Sequence, residues 1–269
     1  MKKLKIYSSA GVSPGEKNVN EDNFYRNGQL LTLNERDRCL VCSGEDSGEL
    51  LMYAVCDGLG GEGFGDEAAL TVVKVLDKYQ NMLNDMKYHD LDKYMVMCFN
   101  EANNLICEAA KAKENEKMGA TVAAVVVENQ KVHVYNVGDS RVYRLRKNKL
   151  TQLTEDHTQA ARAVKLGMFK EDDENVKKFK NRLTQYLGIW KKQIDAKPFA
   201  DVFTAENADV ILICSNGLYN MVSDEEIKQA LKSDSSEKEI VRNLIGKAML
   251  NGGKDNISAV VLTIKEEKM

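Results

Sequence analysis

Apolar residues fall into two kinds of stretch along this chain. Short β-branched or unbroken apolar runs read as strands, and longer stretches with apolar positions three and four apart read as helices. Leu50–Cys56 is one such run and stops sharply at Asp57-Gly58. Thr121–Val127 and Lys131–Val137 are separated by Glu128-Asn129-Gln130, a hairpin signal. Arg141–Leu145 alternates and is expected to extend the same sheet. Val210–Cys214 and Ile257–Ile264 are two further strands, each beside an acidic or amide residue. Helical spacing places Ala69, Val72, Val73 and Leu76 on one face of Asp66–Gln80. It does the same for Tyr94, Cys98, Ala102, Leu105 and Ala109 in Tyr94–Lys111, and for Ile240, Val241, Leu244 and Ala248 in Glu237–Leu250. Strands cluster, and helices do not alternate with them strictly. That order favours an α+β fold of packed antiparallel sheets flanked by helices over a parallel βαβ wind.

The segment from Thr158 to Lys197 is charged and weakly patterned, and is read as a mobile flap containing a short helix. Only two prolines occur, with no Gly/Ser linker and no repeat, so residues 1–269 are read as a single domain. The net charge of −3 does not supply the basic face that nucleic acid requires. No apolar run approaches the ~20 residues of a membrane span. The start, MKKLKIYSSA, is basic without an apolar core, which argues against a secretory signal. Six cysteines form no tight framework, so they are read as reduced thiols in a cytoplasm. Cys39 and Cys42 form a CxxC without the second ligand pair a zinc site needs, and are read as part of a strand or hairpin.

Five short motifs put acidic or amide residues at the ends of apolar runs. The densest follows the first strand: Asp57, then glycines at 58, 60, 61, 63 and 65. Gly58-x-Gly60-x-x-Gly63 matches a dinucleotide fingerprint, but the following ~55 residues look helical where a second strand ending in an acid is required. An aspartate before the first glycine also suits a cation better than a pyrophosphate. The others are Asn20-Glu21-Asp22-Asn23, Gly138-Asp139-Ser140-Arg141, Ser215-Asn216-Gly217-Leu218 and Gly252-Gly253-Lys254-Asp255-Asn256. Each alone also fits an ordinary turn.

Taken in order, NED, DGLGG, GATVAAVVV, VGDSRVYRL with TEDHT, CSNGL and GGKDNIS resemble the PP2C (PPM) serine/threonine protein phosphatases, particularly the compact bacterial ones. The resemblance spans about residues 5–264. It implies two central antiparallel β-sheets packed face to face with helices outside each. It also implies two Mg²⁺ or Mn²⁺ ions at one end of the sandwich. By motif position Asp57 resembles the carboxylate bridging both ions, the Gly58 carbonyl a ligand of one, and Asp255 a ligand of the other. Glu21 and Asp22 match acidic residues that hold metal-bound waters, and Asp139 matches the site of a weaker third ion. The implied chemistry is in-line hydrolysis of phosphoserine or phosphothreonine by a metal-activated water, without a phosphoenzyme. The implied partners are phosphorylated cytoplasmic proteins and an opposing serine/threonine kinase, with neither nucleic acid nor membrane.

Three positions depart from the family pattern. Lys17 stands where an arginine often grips the substrate phosphate, and offers a point charge without the bidentate fork. Leu59 stands where some members carry a histidine that is a candidate general acid. Asn216 replaces an aspartate expected to ligate metal, which removes one negative charge from the site. Lys17 and Asn216 motivate an alternative reading, a pseudophosphatase that keeps the fold as a binding or regulatory module.

Overall fold

Leu50–Cys56 is apolar throughout because both of its faces are covered. In the computed structural model Leu50, Met52, Ala54 and Cys56 face one hydrophobic cluster, and Leu51, Tyr53 and Val55 face another. Successive strand side chains point to opposite sides, so a strand buried on both sides reads as an unbroken run. The structure describes residues 4–35, 39–60, 64–86, 90–114, 117–170, 173, 176, 178–189 and 197–266.

Two six-stranded sheets form the centre. The first sheet contains β1 (Leu4–Ser13), β4 (Leu40–Asp46), β10 (Arg141–Arg146), β11 (Lys149–Gln152), β13 (Val210–Cys214) and β14 (Ile257–Glu266). Their spatial order is β11-β10-β13-β14-β1-β4. The second contains β2 (Asn23–Arg26), β3 (Gln29–Leu30), β5 (Leu50–Cys56), β8 (Val122–Glu128), β9 (Lys131–Val137) and β12 (Phe199–Thr204). These run in the order β12-β9-β8-β5-β2-β3. All pairings within them are antiparallel. A short ribbon pairs β6 (Gly58–Leu59) with β7 (Gly119–Ala120).

The sheets pack through Phe24, Tyr53, Val55, Val125, Val134, Val142, Ile213 and Val260. Helices α1 (Gly65–Asn84) and α2 (Leu91–Ala112) cover the outer face of the second sheet. After α3 (Gln159–Lys165) and the single turn α4 (Asn216–Tyr219), helices α5 (Asp224–Leu231) and α6 (Glu237–Leu250) cover the outer face of the first. The expected α+β sandwich with helices outside each sheet is therefore observed. Both α5 and α6 start with a capping box, Ser223 with Glu226 and Ser236 with Glu239, which satisfies otherwise orphaned backbone N–H groups.

One expectation is corrected. Arg141–Leu145 is a strand, but it does not extend the sheet of Thr121–Val137. It pairs with β13 in the opposite sheet. The chain crosses between sheets at Gly138, whose φ of 109° lies in the region that favours glycine. A Cβ there would come within 2.5 Å of the Thr121 side chain.

The 158–197 stretch contains the expected short helix, α3, which is capped by the Thr158 hydroxyl. It is attached to the body by bridges between Ala120 and Leu187 and between Thr158 and Leu183. Parts of this stretch, together with Gly61, Glu62, Gly63 and His89, lie outside the described residues. Cys42 lies in β4, with Cys39 just before it, and all six cysteines are free. Among the described residues, no helix is long and apolar enough to cross a membrane.

Candidate active site

The five motifs meet because the strands they terminate are neighbours. In the second sheet Asn23 pairs with Cys56, Val55 with Ala123, and Val122 with Val137. In the first sheet Ser13 pairs with Ile257, and Cys214 with both Ala259 and Arg141. Residues just beyond these pairs, including Asp22, Asp57, Asp139, Asn216 and Asp255, therefore lie at one end of the sandwich.

Close backbone approach fixes their spacing. A Cβ on Gly58 would sit 2.2 Å from the Gly65 carbonyl oxygen and 2.4 Å from that of Glu21, so only glycine lets these segments touch. The Gly65 N–H at the start of α1 donates to Glu21 Oε1 at 3.2 Å. A Cβ on Gly217 would sit 1.9 Å from the Asn256 carbonyl, which brings α4 against the loop that carries Asp255. Asp57 is held through its backbone: its N–H donates to Thr121 Oγ1 at 3.2 Å, and the Thr121 N–H donates to its carbonyl at 2.8 Å. The Thr121 hydroxyl also bonds Ser140 at 2.8 Å, which links Asp57 to the Asp139 turn.

The charges are strongly unbalanced. Burial pushes the Asp57 carboxyl well above its usual range, and Asp22, Asp139, Asp255 and Glu21 push it in the same direction. Burial raises Asp22 to about 7, opposed by the Ser258 and Ser215 hydroxyls and reinforced by Asp255 and Glu21. The Ser258 bond is 2.7 Å long. Burial and then Asp156 raise Asp139 to about 6, against the Arg141 charge and the nearby Asn216 amide. Among the described residues, Asp139 Oδ1 is buried without a hydrogen-bond partner. Carboxylates crowded and desolvated in this way fit a hard, oxygen-seeking divalent cation, which would supply the missing positive charge.

Carboxylates are not the only oxygens at this end of the sandwich. Among the described residues, no three His, Cys, Asp or Glu side chains form a ready cluster of ligands. Asn216, at the first position of α4, and the Gly58 carbonyl offer neutral oxygens instead. Asp255 is exposed, and Lys17 Nζ lies 3.7 Å from its Oδ1.

Several residues of the site were not singled out from the sequence. The Asn256 side chain accepts the Glu21 N–H at 2.8 Å and donates to the carbonyls of Pro14 at 2.8 Å and Val19 at 3.0 Å. Tyr219 donates its hydroxyl to the Asp139 carbonyl at 3.0 Å. The Arg141 guanidinium stacks 3.8 Å from the Tyr219 ring centre, forks onto Asp156, and donates to the Tyr143 hydroxyl at 2.8 Å. His157 accepts the Gly138 N–H on Nδ1 at 3.1 Å, which places it beside the Asp139 turn although it stands outside the metal motifs. Asn256 was the most findable of these, since it directly follows Asp255. The others depend on partners distant in sequence.

Residues 32–249 match the family described as Protein phosphatase 2C. The chain belongs to that family. The PP2C match contains Asp57, Asp139 and Asn216, and the fold brings Lys17, Glu21, Asp22 and Asp255 to them. A serine/threonine phosphatase stp of Listeria welshimeri is 33% identical over 210 residues, spanning 77% of this chain and 82% of the relative. Protein phosphatase PhpP of Streptococcus pneumoniae is 27% identical over 222 residues, spanning 80% and 87%. The crystal structure of the catalytic domain of the serine/threonine protein phosphatase PstP in complex with two manganese ions matches with a TM-score of 0.78 and 26% identity, over 98% of this chain and 100% of that one. A serine/threonine protein phosphatase of the bacterial PP2C kind is therefore where sequence and fold agree.

Proposed function

We propose that the protein hydrolyses phosphoserine and phosphothreonine in other proteins, using two Mn²⁺ or Mg²⁺ ions held at the end of the sandwich. The observation that carries this reading is Asp57, a carboxyl raised by burial and by four surrounding carboxylates. Asp57 and the Gly58 carbonyl would hold one ion, and Asp57, Asp255 and the Asn216 carbonyl the other. Asp139 would take a weaker third. When bound, such ions neutralise phosphate oxygens and lower the pKa of an attacking water.

The remaining work falls to the chain. Asp22, fixed by Ser258, and Glu21, fixed by Gly65 and Asn256, are placed to accept hydrogen bonds from water and to orient it. Lys17 is exposed at the mouth and would hold the phosphate as a point charge. Leu59 supplies no proton, so the leaving alcohol takes its proton from solvent within the site.

In this reading residues 1–269 act as one domain, with 158–197 as a flap. The protein works in the cytoplasm against a serine/threonine kinase, on that kinase or its substrates. The test is Mn²⁺-dependent release of phosphate from a phosphothreonine peptide by the wild type and by Asp57→Ala. Undiminished turnover in the variant would sink the assignment.

The pseudophosphatase reading draws on Asn216, a neutral amide beside Asp139, and on Lys17, which already pairs with Asp255. It predicts that the wild type binds Mn²⁺ poorly and turns over far more slowly than Asn216→Asp. Equal turnover of the two proteins removes its basis.

A further inference from the structure

A cleft of about 700 Å³ opens between α3, strands β10 and β11, and α4. It adjoins the candidate metal site through Tyr219, which lines the cleft and donates its hydroxyl to the Asp139 carbonyl at 3.0 Å. Ala160, Ala161 and Val164 on α3 give it an apolar wall. Its charged lining comprises Arg141, Lys165 and Lys180 with Glu155 and Asp156. Both acids are already engaged. Asp156 is forked by Arg141, and Glu155 accepts from Lys165 at 2.7 and 2.9 Å. Among the described residues, the charge left to face an incoming chain is therefore that of Lys180, which is exposed.

We propose that this cleft receives the substrate polypeptide beside its phosphorylated residue and selects an apolar side chain against Ala161 and Val164 and an acidic one near Lys180. The proposal rests on the phosphatase reading above and adds a substrate class to it: phosphoproteins whose modified residue is flanked by apolar and acidic residues. Two features favour this occupant. The cleft adjoins the phosphate-binding end through Tyr219, and among the described residues its uncommitted charge is positive. An acidic residue there gains an ion pair, whereas a basic one meets a like charge, so the cleft discriminates by repulsion as well as attraction.

The experiment compares two phosphothreonine peptides, one with apolar and acidic flanks and one with basic flanks, against p-nitrophenyl phosphate, which is too small to reach the cleft. Wild type, Lys180→Glu and Ala161→Trp are assayed with Mn²⁺. The wild type should prefer the acidic peptide. Lys180→Glu should lower kcat/KM for that peptide by about tenfold and reverse the preference. Ala161→Trp should raise KM for both peptides, and neither variant should change p-nitrophenyl phosphate turnover. Equal use of both peptides by the wild type, or no response of either peptide to Lys180→Glu, overturns the proposal while leaving the phosphatase reading intact. If the wild type turns over none of the three substrates, the phosphatase reading fails instead. Fluorescence anisotropy of the labelled acidic peptide then still reads the cleft: weaker binding by Lys180→Glu supports the inference, and unchanged binding ends it.

Discussion

The Asn256 side-chain oxygen accepts the Glu21 backbone N–H at 2.8 Å, across 235 positions of sequence. The same amide donates to the carbonyls of Pro14 and Val19, so one buried side chain joins the loop before β2 to the loop before β14. Asn256→Ala would orphan one donor and two acceptors at once. The expected cost is about 2–4 kcal/mol, a fall in Tm of roughly 5–10 °C for a domain of this size. Because Glu21 and Asp255 are positioned by the loops that Asn256 joins, Mn²⁺ should also raise Tm less in the variant than in the wild type. Scanning calorimetry with and without Mn²⁺ measures both, and a Tm within a degree or so of wild type would show that the amide is not the joint.

A second expectation follows from Asp22 and Asp139, raised to about 7 and about 6 from an ordinary value of 3.8. A carboxyl raised in the folded state binds its proton more tightly there than in the unfolded chain. Its contribution to stability is full below the ordinary carboxylate value and is lost as pH rises through the folded one. Without metal, Tm should therefore fall as pH rises from about 4 to about 7, where these two groups ionise. Asp22→Asn should flatten that fall. Melting curves in chelator across this range decide the matter, and a metal-free Tm that climbs with pH contradicts it.

Legibility from sequence followed burial and charge. Leu50–Cys56 and Val210–Cys214 were read to the residue, because burial on both faces leaves an unbroken apolar run ending at a polar residue. β1 was not read, although it pairs along its whole length with β14. Its buried Ser8, Ser9 and Ser13 break the apolar pattern, and their hydroxyls are satisfied by distant groups such as Asp46 and the Cys42 carbonyl. Arg141–Leu145 was read as a strand, but its sheet was not legible, since the crossing at Gly138 depends on contact with Thr121. In the site, the carboxylates were visible as acids at strand ends. Tyr219 and the Arg141–Asp156 fork were not, because nothing local distinguishes them from surface polar residues, and Asn256 was marked only by its place directly after Asp255.

Asp57→Ala separates catalytic from structural roles. Removing the carboxylate that would bridge both ions should lower Mn²⁺-dependent turnover at least about a thousandfold. In chelator the same change should leave Tm equal or higher, because it removes a desolvated carboxyl crowded by Asp22, Asp139, Asp255 and Glu21. The added sign of metal loss is that Mn²⁺ no longer raises Tm. A variant that is less stable in chelator and still stabilised by Mn²⁺ would place the ions elsewhere.

Asn216→Asp tests the proposed neutral ligand between Asp139 and Asp255. The wild-type amide sits beside Asp139 and favours its ionised form, and so partly does what a cation would do there. Replacing it with a carboxylate removes that support and adds a negative charge beside Asp139, Asp57 and Asp255. In chelator the variant should be less stable, most of all above about pH 6 where Asp139 is ionised. With Mn²⁺ the order should reverse, because the added charge strengthens the ion shared with Asp255 by roughly tenfold. The two measurements are a pair of melting curves and a calorimetric Mn²⁺ titration. Lower apo stability combined with tighter metal binding is the signature of a ligand position. Lower stability with unchanged Mn²⁺ affinity would mean that residue 216 serves Asp139 alone, and that the second ion rests on Asp57 and Asp255 without it.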